Sequence, residues 1–110
     1  MISHLFDEKT FYDVFVRDLS FCTQEVIIES PYITSARMQN LYPLFETLVR
    51  RNVRIYIITR DPREHSEELE QQSEEVILWF EMIGVHVLLC TGNHHRKLAI
   101  LDRKIRWEGV

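Results

Sequence analysis

The 110-residue sequence predicts an α/β protein: a layered α/β/α domain with a mixed, mostly parallel sheet and a C-terminal antiparallel hairpin. Three observations lead there. Segments with helically spaced apolar residues alternate with short β-branched runs, the pattern of parallel strands joined by right-handed helical crossovers. One run, Val53-Arg54-Ile55-Tyr56-Ile57-Ile58-Thr59, is nearly all apolar, as in strands covered on both faces. Two further runs, 98–101 and 105–107, are separated only by Asp102-Arg103-Lys104, the length of a tight hairpin connection.

Each element has its own warrant. Phe11, Phe15 and Leu19 recur at spacing four behind Asp7 and Glu8, which predicts an opening amphipathic helix with acids at its positive end. Residues 25–29, Glu-Val-Ile-Ile-Glu, read as a strand closed by Ser30-Pro31. Thr34 or Ser35 can cap a second helix, whose apolar stripe of Met38, Leu41, Phe45, Leu48 and Val49 runs to near Asn52. Pro43 fits only in the first turns of such a helix. Residues 53–59 form a central strand. Residues 64–83 are rich in Glu, Gln and Leu, with Leu69, Val76, Phe80 and Ile83 on one face and Gly84 as the stop, and Trp79 and Phe80 are both assigned to the core. Strands follow at 85–89, 98–101 and 105–107.

Composition predicts one domain over 1–110, since 45% apolar residues in a chain of this length suffice for one core. The longest uninterrupted apolar run, 76–80, is far short of the roughly 20 residues that span a bilayer, and no basic-then-apolar leader opens the chain. A cytoplasmic protein without a membrane partner is expected. Cys22 and Cys90 lack a C-x-x-C spacing and are expected as reduced thiols. The net charge of −4 hides three blocks: 61–81 sums to −7, while 37–60 and 94–106 each sum to +4. Two positive segments on one side could hold a phosphate-bearing ligand, with the acidic helix on the other side as a solvated face.

The chemistry concentrates in His95-Arg96-Lys97-Leu98-Ala99-Ile100-Leu101-Asp102. Residues two apart on a strand share a face, so in a strand starting at His95 an imidazole and an ammonium converge on one phosphate. Imidazole is nucleophilic near neutral pH, and the ammonium neutralises the non-bridging oxygens, which points to phosphoryl or phosphodiester chemistry. No metal site is expected, because His94 and His95 would face opposite ways and no Cys or further His lies at ligand spacing. His86, between valines, reads as a partly buried strand residue, and His4 and His65 as surface side chains.

His95, Lys97 and Asp102 form an H-x-K-x-x-x-x-D pattern, and the sequence here resembles the phospholipase D superfamily. The resemblance extends through 26–33 and 53–60 to Trp107-Glu108-Gly109, and is greatest to the single-motif domains at the C-terminal end of helicase-like proteins. It implies catalytic roles for His95, Lys97 and Asp102: His95 attacks phosphorus to give a phosphohistidine, Lys97 holds the phosphate, and Asp102 orients the hairpin rather than acting on substrate. It also implies a second histidine that protonates the leaving oxygen, hence a homodimer or a partner domain, and no cofactor. The family pattern continues with Gly-Ser-x-Asn; Gly109 is in register, but Val110 stands where the serine would be, and a domain incomplete at its C-terminus is expected. Glu29, Ser30, Tyr32 and Arg60 fall at the C-terminal ends of predicted parallel strands, where open α/β sheets bind ligands, and together with Gly109 they are expected to line the substrate site. Two functions follow. The first is a phosphodiesterase acting on nucleic acid or another phosphodiester. The second is an inactive remnant or accessory binding or dimerisation module of a helicase-like protein. Lipid hydrolysis is not expected, because no amphipathic stretch with a basic face is visible.

Overall fold

The computed structural model describes residues 2–4, 8–91, 98–103 and 105–108. Within them the chain runs β1 (Ile2–His4), α1 (Glu8–Ser20), β2 (Glu25–Glu29), α2 (Ala36–Asn40), α3 (Tyr42–Arg50), β3 (Arg54–Arg60), a 3-10 turn (Pro62–Glu64), α4 (Glu67–Met82), β4 (His86–Cys90), β5 (Leu98–Leu101) and β6 (Ile105–Glu108). The strands form one sheet in the order β1-β6-β5-β2-β3-β4. β2, β3 and β4 pair in parallel, as do β1 and β6, while β5 is antiparallel to both β2 and β6. Five strands therefore run one way and β5 alone opposes them. This is the mixed, mostly parallel sheet with a C-terminal hairpin that the sequence predicts.

Each helical connection, β1 to β2, β2 to β3 and β3 to β4, steps in the same direction along the sheet. Right-handed crossovers then place the helices on one face. Phe15, Leu19, Met38, Phe45, Leu48, Val76 and Phe80 meet Val26, Ile28, Ile55, Ile57, Ala99 and Leu101 there in a single core. The alternate strand residues Ile27, Tyr56, Ile58, Leu98 and Ile100 point to the other face and are half-buried.

Local chemistry explains the boundaries. The segment expected as one helix from Ser35 to near Asn52 is two, because Pro43 lacks an amide hydrogen and its ring clashes with the preceding turn. α2 is capped by Ser35, whose hydroxyl accepts from Met38 N, and Leu41 ends α2 and begins α3, so that Pro43 sits in the first turn of α3. Ser66 caps α4 in the same way, accepting from Leu69 N. Trp79 departs from its expected place in the core: it is 48% exposed, whereas its neighbour Phe80 is 1% exposed. The helical period puts Phe80 over the sheet and turns Trp79 to the flank. His86 is exposed and stacks on Tyr56, with ring centroids 5.2 Å apart.

Gly84 ends α4 at φ +101°, and a Cβ there would come within 2.9 Å of Val49 Cγ1. Gly84→Ala is therefore expected to destabilise the fold by about 1–2 kcal/mol, combining backbone strain with displacement of a packed valine. Urea unfolding would show it as a lower midpoint at unchanged slope.

Candidate active site

The C-terminal ends of β2, β3 and β4 form one edge of the sheet. Register builds it: Glu29 lies opposite Ile58, Ser30 N donates to Ile58 O at 2.9 Å, and Arg60 lies opposite Cys90. Glu29 and Ser30 are buried, and Arg60 is half-buried. Arg60 Nε is 3.6 Å from Glu64 Oε1, so the carboxylate steers the guanidinium at the end of β3. The connection after β3 is fixed by Asp61, which accepts from Arg63 N at 3.0 Å, Nε at 3.1 Å and Nη2 at 2.7 Å. Those hydrogen bonds, from the Arg63 side chain first and its backbone second, hold the Asp61 carboxyl down to about 2.

Tyr32 comes off the end of β2 and meets His65 just beyond the 3-10 turn, with ring centroids 5.7 Å apart. Cys90 completes the group. Its Sγ donates to Thr59 O at 3.3 Å, and burial, followed by the nearby carboxylates of Glu29 and Glu64, pushes the thiol above its ordinary value against the opposing pull of Arg60. Of the residues the sequence assigned to substrate, the structure thus brings Glu29, Ser30, Tyr32 and Arg60 to one edge and adds Glu64, His65 and Cys90. Glu64 and His65 follow β3 and Cys90 is the last residue of β4, so the same rule that selected Arg60 could have selected them. The guanidinium of Arg60, steered by Glu64, can bind a phosphate group at this edge, and the Tyr32–His65 pair offers rings on which a flat group can stack.

β5 begins at this edge. Its first residue, Leu98, pairs with Glu29, and its last, Leu101, pairs with Val26. His95, Lys97 and Gly109 lie outside the described residues. Asp102, which follows β5, stands at the opposite end of β2, about 13 Å along the strand from Glu29. There its carboxylate accepts from Gln24 N at 2.8 Å, Glu25 N at 2.9 Å and Thr23 N at 3.0 Å, while its own amide donates to Glu25 O at 2.8 Å. Burial opposes the charge, and the three amides outweigh it, so the carboxyl sits below its usual range. Arg103 Nε donates to Glu25 Oε2 at 2.9 Å beside it.

No protein-family model and no curated protein matches this sequence. Solved structures do share its architecture. A phospholipase D family member, Nuc from Salmonella typhimurium, is similar with a TM-score of 0.62 at 12% identity, over 82% of this chain and 56% of that one. NucT from Helicobacter pylori is similar with a TM-score of 0.62 at 16% identity, over 89% of this chain and 64% of that one. The chain thus spans less than two thirds of the length of either structure.

Proposed function

We propose that this chain, which has the phospholipase D fold, is a phosphodiesterase domain acting on nucleic acid through a phosphohistidine intermediate. An imidazole nitrogen of His95 attacks phosphorus, the bond to the leaving oxygen breaks, and that oxygen takes a proton from a second histidine. Water, losing a proton to that second histidine, then attacks phosphorus, the P–N bond breaks, and His95 and a phosphomonoester are released. Lys97 neutralises the non-bridging oxygens, Asp102 holds the hairpin, and Arg60 with Ser30 binds a neighbouring phosphate. Because one histidine cannot both attack and protonate from opposite sides, the second comes from another copy or a partner domain. The reading places the domain in the cytoplasm, as a module of a helicase-like protein. None of the described helices is long and apolar enough to cross a membrane.

One observation carries this reading: Leu98, the residue after Lys97 in the H-x-K-x-x-x-x-D sequence, pairs with Glu29 at the edge that gathers Ser30, Tyr32 and Arg60. The test is hydrolysis of bis-(p-nitrophenyl) phosphate and single-stranded DNA by the full chain. Turnover is expected to survive excess chelator and to fall by at least about a thousandfold in His95→Ala. Activity that is lost in chelator, or that persists in the variant, refutes the phosphohistidine route.

A second reading, a non-catalytic binding or dimerisation module, is favoured by Val110, which stands where the family pattern has its serine. It predicts retained DNA binding without turnover in either protein.

A further inference from the structure

We propose that the solvent face of α4 is a docking site for a basic amphipathic helix of a partner protein. The exposed surface of α4 is mostly glutamate and glutamine, but toward its C-terminal end the helix also carries exposed apolar side chains. It carries six glutamates and no lysine or arginine. Val76 and Phe80 face the core, and Leu78 and Met82 lie about half a turn round the helix from them. Leu78 is 57% exposed, Met82 74% and Trp79 48%. Spacings of three and four make these three side chains neighbours on the surface, so they form one patch rather than scattered apolar residues.

The patch continues into a groove. Trp79 and Phe80 on α4 and Gln39, Tyr42 and Pro43 from the α2–α3 junction enclose about 450 Å³, with Val76 at its floor. A groove of this kind accepts one or two apolar side chains of a helix lying across it. Charge selects which helix. Glu74, Glu75 and Glu81 flank the patch, and Glu67 and Glu68 extend the acidic surface along the exposed N-terminal half. A second copy of this face would set glutamates against glutamates, and a nucleic acid or an anionic membrane would be repelled. A partner helix with leucine-like residues at spacings of three and four, flanked by lysine or arginine, satisfies both the groove and the charge. This surface lies on the helical side of the sheet and involves none of the residues proposed for phosphodiester chemistry.

The test uses the full chain and fluorescein-labelled synthetic helices of about 18 residues, long enough to form several turns. One is an amphipathic Leu/Lys helix, the second an amphipathic Leu/Glu helix, and the third has the Leu/Lys composition in a scrambled, non-amphipathic order. Anisotropy is expected to show saturable binding of the first alone. Affinity should weaken about tenfold or more in the double variant Leu78→Ser/Met82→Ser, and similarly in Trp79→Ala. Since Leu78 and Met82 are surface residues, the double variant keeps its circular dichroism. Four results would overturn the proposal: no binding of the amphipathic Leu/Lys helix, equal binding of the scrambled peptide, equal binding of the Leu/Glu helix, or unchanged affinity in the double variant. So would self-association of the free chain that Leu78→Ser/Met82→Ser abolishes, because the occupant would then be a second copy.

Discussion

Phe80→Ala is expected to lower stability by about 3–5 kcal/mol, the range for removing a buried aromatic ring whose surroundings only partly collapse. Phe80 is 1% exposed and lies where α4 meets α3, with its ring centroid 5.6 Å from that of Phe45 and 5.8 Å from that of Tyr42. Tilted aromatic contacts of this kind add to simple area burial. Because the whole fold of such a domain is worth only about 5–15 kcal/mol, the variant should be near its unfolding midpoint at moderate temperature. Thermal unfolding by circular dichroism would read a fall on the order of 15 °C. A change below about 1 kcal/mol would mean that α2, α3 and α4 close over the space, and that the groove beside Trp79 is deformable rather than fixed.

Much of this core was legible from spacing. Val76 and Phe80 follow the helical period, and the β2, β3 and β5 boundaries are marked by β-branched runs, Ser30-Pro31 and the Asp102-Arg103-Lys104 connection. What spacing did not reveal depends on partners far away in sequence. β1 is three residues long and exists through its pairing with β6, about a hundred residues later, so no local period announces it. The division of the second helix at Leu41 was latent in Pro43. Trp79 was misassigned because an apolar residue next to a core position looks like core in sequence, while the helix turns successive residues by a quarter-turn or more.

The candidate site was legible in half. Strand polarity alone brings Glu29, Ser30, Tyr32 and Arg60 together, since all four lie at or just after the C-terminal ends of the parallel strands β2 and β3. Glu64 and His65 follow β3 and fall under the same rule, but neither belongs to a motif that marks it in the sequence. Asp102 has a different lesson: four strand residues separate it from Lys97, and at about 3.3 Å each they carry it to the far end of the sheet. The order of residues in H-x-K-x-x-x-x-D, combined with a strand in the middle, already separates its last member from the edge where β5 begins.

That separation sets the expected result for Asp102→Ala, a loss of about 2–3 kcal/mol in stability from the last residue of the H-x-K-x-x-x-x-D sequence. Asp102 and Arg103 both adopt left-handed backbone conformations, φ 51° and 61°, which side chains other than glycine resist. Hydrogen bonds offset that strain: three from the Thr23–Glu25 amides to the Asp102 carboxylate and one from Arg103 to Glu25. Removing the carboxylate leaves the strain and strips the β2 entry of its acceptor, although water reaching the exposed Thr23 and Gln24 amides limits the cost. Asp102→Asn keeps one acceptor oxygen and should recover part of the loss. The pH dependence carries the sign of the mechanism. The folded-state pKa of Asp102 is below the ordinary carboxylate value, as is that of Glu25, where Arg103 is the chief cause. Their stabilisation is therefore complete above the unfolded-state value of about 4 and drains away as pH falls through the lower folded values. Urea midpoints measured from neutral pH downward should fall below about pH 4 in the wild type, and less steeply in Asp102→Ala. A second readout is local: the Cys22 thiol, pushed up to about 12 by burial and then by the charges of Asp102 and Asp18, should react faster with a thiol reagent in the variant. Unchanged stability and unchanged Cys22 reactivity in Asp102→Ala would show that the carboxylate does not tie the hairpin to β2.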